Sequence, residues 1–217
     1  MNSFGGVICP LPGPSPKIEL KRQAFKIDLE TNRIEMNYAL VNRGPAAQLK
    51  FGVPQYWAAT TAGQVLKASQ VEDWHLQVWV DGKKVRPTRR LLPALKAKED
   101  ERHPSGHAPG ALWATQVRFA ARQTRHVRVS FVSSGYGHES ILWLIYFPKF
   151  RWQGAVGSTY LKVIPKIYNP GDGIVRLFPQ GWDGDYRVVP ARQRTDEWLY
   201  RWRGWKPAGL LMVVVDH

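Results

Sequence analysis

Cysteine is almost missing from this sequence: Cys9 stands alone among 217 residues. No intramolecular disulfide can form, which leaves the compartment open, because exported and cytosolic proteins both occur without one. Cys9 lies in Val-Ile-Cys-Pro, without the small residue expected before a lipid-modified cysteine, so it reads as an ordinary thiol. Long apolar runs are missing too. Nothing approaches the roughly 18 residues of a membrane-spanning helix. No charged start followed by an apolar core marks a signal peptide after Met1. Acidic residues are scarce, 17 against 31 Lys and Arg, for a formal net charge of +14.

The sequence also lacks the usual catalytic and cofactor signatures. Gly-x-Ser-x-Gly is absent around Ser133-Ser134-Gly135, and Gly-Lys-Ser/Thr and the Gly-rich dinucleotide fingerprint are absent throughout. His103 and His107 are four apart, but in Pro- and Gly-containing sequence that cannot hold one helical face. Asp73 with His75, and His138 with Glu139, give no clustered spacing for zinc or iron. Asp183 and Asp185 sit in a Gly-rich turn with too few oxygens for calcium. The expectation is a protein that is not an enzyme, with no metal and no cofactor.

What is abundant is turn formers and aromatics: 19 Gly, 16 Pro and 10 Trp, in a chain 44% hydrophobic. That mixture fits short strands joined by turns. Phe25, Ile27 and Leu29 alternate with Lys26, Asp28 and Glu30, then Ile34, Met36, Tyr38 and Leu40 alternate after the Thr31-Asn32 turn. Period-two alternation on both sides of a turn predicts a hairpin. Leu49, Phe51 and Val53 resume the pattern. Trp74, Leu76, Val78 and Val80 share one face, which turns Trp79 the other way. Asp81-Gly82 is a hairpin turn, because both residues tolerate positive φ, and Lys83 to Pro87 returns. Val127, Val129 and Phe131 face one side, His126, Arg128 and Ser130 the other. Ile141 to Phe147 has no alternation and needs cover on both faces. Strands are also predicted over Gln116 to Ala120, Thr159 to Ile164, Ile174 to Phe178, Tyr186 to Val189, Glu197 to Arg203 and Leu210 to Val215. A short helix over Gln64 to Ser69 is the one helical candidate. These patterns predict an all-β, Ig-like antiparallel β-sandwich with little helix. Residues 1–17 form a Gly/Pro-rich extended N-terminal segment and 18–217 a single sandwich domain. Thr88 to Gly110 is one long basic loop, functional or mobile, with mobility the expectation.

The charge is uneven: between Asp81 and Phe131 there are twelve Lys/Arg against four Asp/Glu. Lys83, Lys84, Arg86, Arg89 and Arg90 follow the Asp81-Gly82 turn closely and are the candidate anion-binding residues. Exposed cations of this kind attract polyanions without sequence preference, and salt screens the attraction. Trp79, Phe150 and Trp152 are candidate stacking aromatics, with Lys149 and Arg151 beside the last two.

Several short motifs, in order along the chain, resemble an uncharacterised family of bacterial exported or cell-envelope β-sandwich proteins, some of which carry stalk or copper-amine-oxidase-N-like modules. They are Gly5-Gly6-Val7 with Pro10-Leu11, the strand Ile18 to Leu29, Asn37-Tyr38 to Asn42-Arg43-Gly44, and Phe51-Gly52-Val53-Pro54. Val78 to Lys83, Val117 to Phe131, Trp152 to Gly157 and Glu197-Trp198 to Trp205-Lys206-Pro207 complete the set. The resemblance implies a sandwich fold and an extracellular or envelope setting, with a signal peptide ahead of this sequence, and supplies no catalytic residue. Two roles follow as expectations. The first is a structural or protein-interaction domain, binding a protein partner or itself. The alternative is a binding module for an anionic polymer, nucleic acid or acidic cell-wall glycan, through a basic surface.

Overall fold

A computed structural model describes residues 3–11, 17–58, 75–91, 107–132, 140–147, 152, 156–164, 173–178, 186–187, 190–194, 196–205 and 209–216. Among them, strands numbered in chain order form two sheets and no helix occurs. The nine-stranded sheet I contains β1 (Ser3–Gly6), β2 (Cys9–Pro10), β5 (Ala47–Ala58), β8 (Thr88–Leu91), β9 (His107–Phe119), β11 (Ser140–Phe147), β13 (Gly173–Phe178), β14 (Tyr186–Arg187) and β17 (Gly209–Asp216). The eight-stranded sheet II contains β3 (Ile18–Asp28), β4 (Arg33–Asn42), β6 (Gln77–Val80), β7 (Lys83–Val85), β10 (Thr124–Val132), β12 (Val156–Ile164), β15 (Arg192–Gln193) and β16 (Trp198–Trp205). Both sheets are open. Sheet II runs β15-β16-β12-β3-β4-β10-β6-β7, and sheet I runs from β14 to β8 with β2 alongside β5.

Alternation built the inner faces as expected. Phe25, Ile27, Ile34, Met36, Leu40, Val127 and Val129 of sheet II are buried with Leu49, Phe51, Val53, Val117 and Phe119 of sheet I in one core. Two polar links cross that core. The Ile8 amide donates to the Tyr38 hydroxyl at 3.4 Å, and the Trp152 indole donates to the Ile8 carbonyl at 3.3 Å. Tyr38 in turn donates to the Met36 sulfur at 3.1 Å, and burial raises its pKa far above the ordinary phenol value.

The Thr31-Asn32 turn joins β3 to β4 as predicted, with Asn32 at φ 53° and the Thr31 amide bonded to the Asp28 carboxylate at 3.2 Å. Asp81 and Gly82 both take positive φ, 48° and 80°, as the turn between β6 and β7 requires. One irregularity escaped the alternation. Register shifts between Leu20 and Arg22 leave Lys21 as an extra residue, so Ile18 and Leu20 point inward before it and Gln23, Phe25 and Ile27 after it. Gln23 is thereby buried and donates to the Thr159 hydroxyl of β12 at 3.0 Å. Gly157 lies against the same bulge. A Cβ there would stand 2.6 Å from the Lys21 carbonyl oxygen, so only glycine allows β12 this close.

Three expectations need correction. The sheets are mixed rather than purely antiparallel, since β1 pairs β11 and β3 pairs β12 in parallel. The long basic loop is shorter than Thr88 to Gly110: β8 takes 88–91 and β9 begins at 107, with Thr88 opposite Ala114 and Leu91 opposite Ala111. Within the N-terminal segment, residues 3–11 are not irregular coil. β1 lies between β5 and β11, and Val7 and Ile8 join the core. The Gln64 to Ser69 helix candidate lies outside the described residues. No helix among the described residues is long and apolar enough to cross a membrane, which says nothing of a crossing made by strands.

Candidate functional site

Sheet II brings strands from distant parts of the chain to one surface. Register then decides which outward side chains meet. Arg201 of β16 is opposite Tyr160 of β12, Tyr160 opposite Ala24 of β3, and Ala24 opposite Asn37 of β4. Asn37 is opposite Arg128 of β10, Arg128 opposite Trp79 of β6, and Trp79 opposite Lys84 of β7. One row thus crosses seven strands as cation, ring, methyl, amide, cation, ring, cation. The row beside it reads Arg203, Ser158, Arg22, Ala39 and His126.

Within these rows the guanidinium groups rest on the rings. Arg128 lies 3.8 Å from the Trp79 ring centre, Arg22 lies 4.9 Å from that of Tyr160, and Arg201 lies 5.7 Å from the same Tyr160 ring. A guanidinium stacked by its flat face is held in orientation while its edge N–H donors stay available. Ala24, Asn37 and Ala39 are short, and they floor a cleft of about 550 Å³ walled by Arg22 on one side and Trp79, His126 and Arg128 on the other.

Charge on this face is partitioned. Two residues further along the strands, cations have carboxylates: Lys26 is 3.6 Å from Asp28, and Lys162 and Arg192 both hold Glu197. Hydrogen bonds from Lys162 and Arg192, with their positive charge, hold the Glu197 pKa down at about 2. Burial pulls Asp28 upward, but the Thr31 hydrogen bonds and Lys26 outweigh it and leave its pKa below the ordinary value. In the two rows around the cleft there is no carboxylate at all. Glu35, two residues from Asn37, stands opposite Lys26 in the next row, and Asp81, two residues from Trp79, is committed elsewhere. Burial pulls it up, yet hydrogen bonds from Arg125 and the His126 amide, and the Arg125 charge, hold it below the usual range. Among the described residues, Arg22, Arg128, Arg201, Arg203 and Lys84 have no ion-pair partner. The chemistry on offer is therefore that of an anion-binding face: oriented donors, unneutralised charge and a short-floored cleft beside the Trp79 ring.

The basic residues singled out in the sequence are spread over two edges. Lys83 and Lys84 lie on β7 of sheet II, and Lys84 alone extends the row described above. Arg86 is exposed between the sheets' edge strands, and Arg89 and Arg90 lie on β8 of sheet I. Arg89 turns inward, 5.4 Å from the ring centre of buried Trp113. Trp79 faces outward as predicted. Trp152 does not: it is buried, and its indole N–H is bonded to the Ile8 carbonyl, so it is a core residue and not a stacking platform. Phe150 lies outside the described residues. Sequence reasoning missed Arg22 and Arg201 because each is one exposed position in a strand, and only register places both on Tyr160. Among the described residues no group of three His, Cys, Asp or Glu could hold a metal ion.

No protein-family model matches the chain, and no curated protein matches it. Among solved structures, a "putative nutrient binding protein" from Legionella pneumophila is similar with a TM-score of 0.64 at 14% identity, over 99% of this chain and 71% of that one. At that identity the likeness is one of fold alone. Legionella pneumophila aminopeptidase A gives a TM-score of 0.42 at 7% identity, over 97% of this chain and 23% of its own, and carries no argument here.

Proposed function

We propose that this is a non-enzymatic binding domain that holds an anionic polymer on the outer face of sheet II. The observation that carries the reading is the pair of rows in which, among the described residues, Arg22, Arg128, Arg201, Arg203 and Lys84 stand without a carboxylate, while Lys26 and Lys162, two residues beyond Ala24 and Tyr160 on the same strands, are neutralised. Unpaired charge is costly to gather and is kept where a ligand completes it. The cleft presents donors, methyls and rings rather than a nucleophile beside a base, which supports binding over catalysis. A binding role is also what the name of the Legionella protein says of that protein. We take the architecture as immunoglobulin-like and the setting as the bacterial envelope or exterior, in keeping with the family resemblance. A structural or self-associating role draws less support. The edge strands β7, β8, β14 and β15 are only 2–4 residues long, and short edges blunt strand-to-strand assembly.

Retention on immobilised heparin tests the reading. The protein should bind at low ionic strength and elute by about 0.3 M salt, where the Debye length is roughly 5–6 Å. The Arg22→Gln/Arg128→Gln variant should elute distinctly earlier. Passage through the column without retention at low salt would overturn the proposal.

A further inference from the structure

The spacing of the cations goes further than their sign. Along the seven-strand row and its neighbour, cations stand on β16 (Arg201, Arg203), β3 (Arg22), β10 (Arg128) and β7 (Lys84), which is every second strand. Strands lie about 4.8 Å apart, so the positive charges recur at about 10 Å across the sheet. Duplex DNA offers a negative charge about every 1.7 Å of its axis, far denser than this array can match. Single-stranded nucleic acid binds by stacking bases on free ring faces. Here Arg128 lies over Trp79, and arginines from both flanking strands lie over Tyr160. The rings orient guanidinium groups, and that use competes with base stacking.

Between the cations the face is uncharged and shallow. Ala24 and Asn37 fill the row between Tyr160 and Arg128, and Asn37 is exposed. Methyl groups admit a flat ring close to the sheet, and an amide can both donate to and accept from a hydroxyl. We infer that the occupant is a linear polysaccharide carrying one carboxylate per disaccharide, laid across the strands of sheet II. Its acid groups meet the cations on every second strand, guanidinium edges on β16, β3 and β10 and the Lys84 ammonium on β7, and its neutral sugars lie over Ala24 and Asn37. Sheet twist, about 20° per strand, makes the chain wind as it crosses. This deepens the reading of sheet II as an anion-binding face and rests on it.

Charges about 10 Å apart exceed the distance, about 7 Å, at which two unit charges in water interact with thermal energy. Such a polymer gathers few counterions to release, so its binding should be less steep in salt than that of DNA. The test compares hyaluronate oligosaccharides, which have one carboxylate per disaccharide, with a single-stranded oligonucleotide, duplex DNA and heparin. Tryptophan fluorescence and calorimetry on the full chain give the affinities. Hyaluronate should saturate binding with a log K against log salt slope under about 2 in magnitude. Asn37→Ala should weaken hyaluronate about fivefold, the loss of one hydrogen bond. If heparin or DNA binds through Arg22 and Arg128 while hyaluronate does not, this inference is overturned and the anion-binding face stands. If Asn37→Ala leaves hyaluronate affinity unchanged, the sugar placement is overturned. If none of the four binds, both fall.

Discussion

Converting Arg22, Arg128, Arg201 and Lys84 together to glutamine should lower heparin affinity at low ionic strength by roughly 100- to 1000-fold. The magnitude follows from about 1 kcal/mol for each cation facing a dense anionic surface, reduced somewhat for screening. The salt slope should flatten by about one for each contact removed. A second variant, with Lys83, Arg86, Arg89 and Arg90 changed to glutamine, removes as many charges and should cost less than about tenfold. Its residues are divided between β7, the segment after it and β8, and Arg89 faces the Trp113 ring inside. Equal losses in the two variants would mean that net charge alone attracts the ligand. Stability should change little, since exposed cation–π contacts contribute about 0.5–1 kcal/mol each.

Asn42→Ala should destabilise the fold by about 3 kcal/mol, the largest effect expected from a polar residue here. Asn42 is fully buried in the first residues after the β4 alternation ends. Its amide nitrogen donates to the Pro45 carbonyl at 2.6 Å and to the Ala120 carbonyl at 3.0 Å, and its oxygen accepts from the Gly44 amide at 3.0 Å. One side chain therefore ties the β4–β5 connection to the β9–β10 connection. Truncation orphans three backbone groups, each worth about 1–3 kcal/mol when left unsatisfied, with water recovering part. Urea unfolding should show the midpoint falling by about 1 M or more at an unchanged slope. Asn42→Asp should be no milder, because a carboxylate keeps the Gly44 bond but faces two carbonyl oxygens. A loss below about 0.5 kcal/mol would show that the two connections are held by other contacts.

Much of sheet II was legible from alternation, because one wet face and one core face print a period of two on the sequence. The hairpin of β3 and β4, the inward set Val127, Val129 and Phe131, the Asp81-Gly82 turn and the outward direction of Trp79 all came that way. Neighbour relations did not. β3 and β12 are parallel partners separated by more than a hundred residues, and nothing local in either announces the other. The Lys21 bulge hid for a related reason: one extra residue reverses the phase, so Ile18 and Leu20 look out of step with Phe25 and Ile27 until the register is known. β8 was absorbed into a loop because Thr-Arg-Arg-Leu carries two adjacent arginines, an edge-strand composition that resembles a solvated turn. Trp152 was misplaced because a tryptophan in Gly-rich sequence can fold inward, and only the Ile8 carbonyl, 144 residues away, shows that it does. The candidate site suffered most. Its aromatics and cations were individually visible, but their assembly is a property of register across seven strands.

Amide chemical-shift mapping with a heparin-derived oligosaccharide, at low ionic strength, is the most direct measurement of where the anion sits. The account predicts that the largest shifts fall on Arg22, Ala24, Asn37, Ala39, Arg128 and Tyr160, six positions on four strands of one face of sheet II. Largest shifts on β8 and its partner β9 in sheet I, or small shifts spread evenly over both sheets, would contradict it.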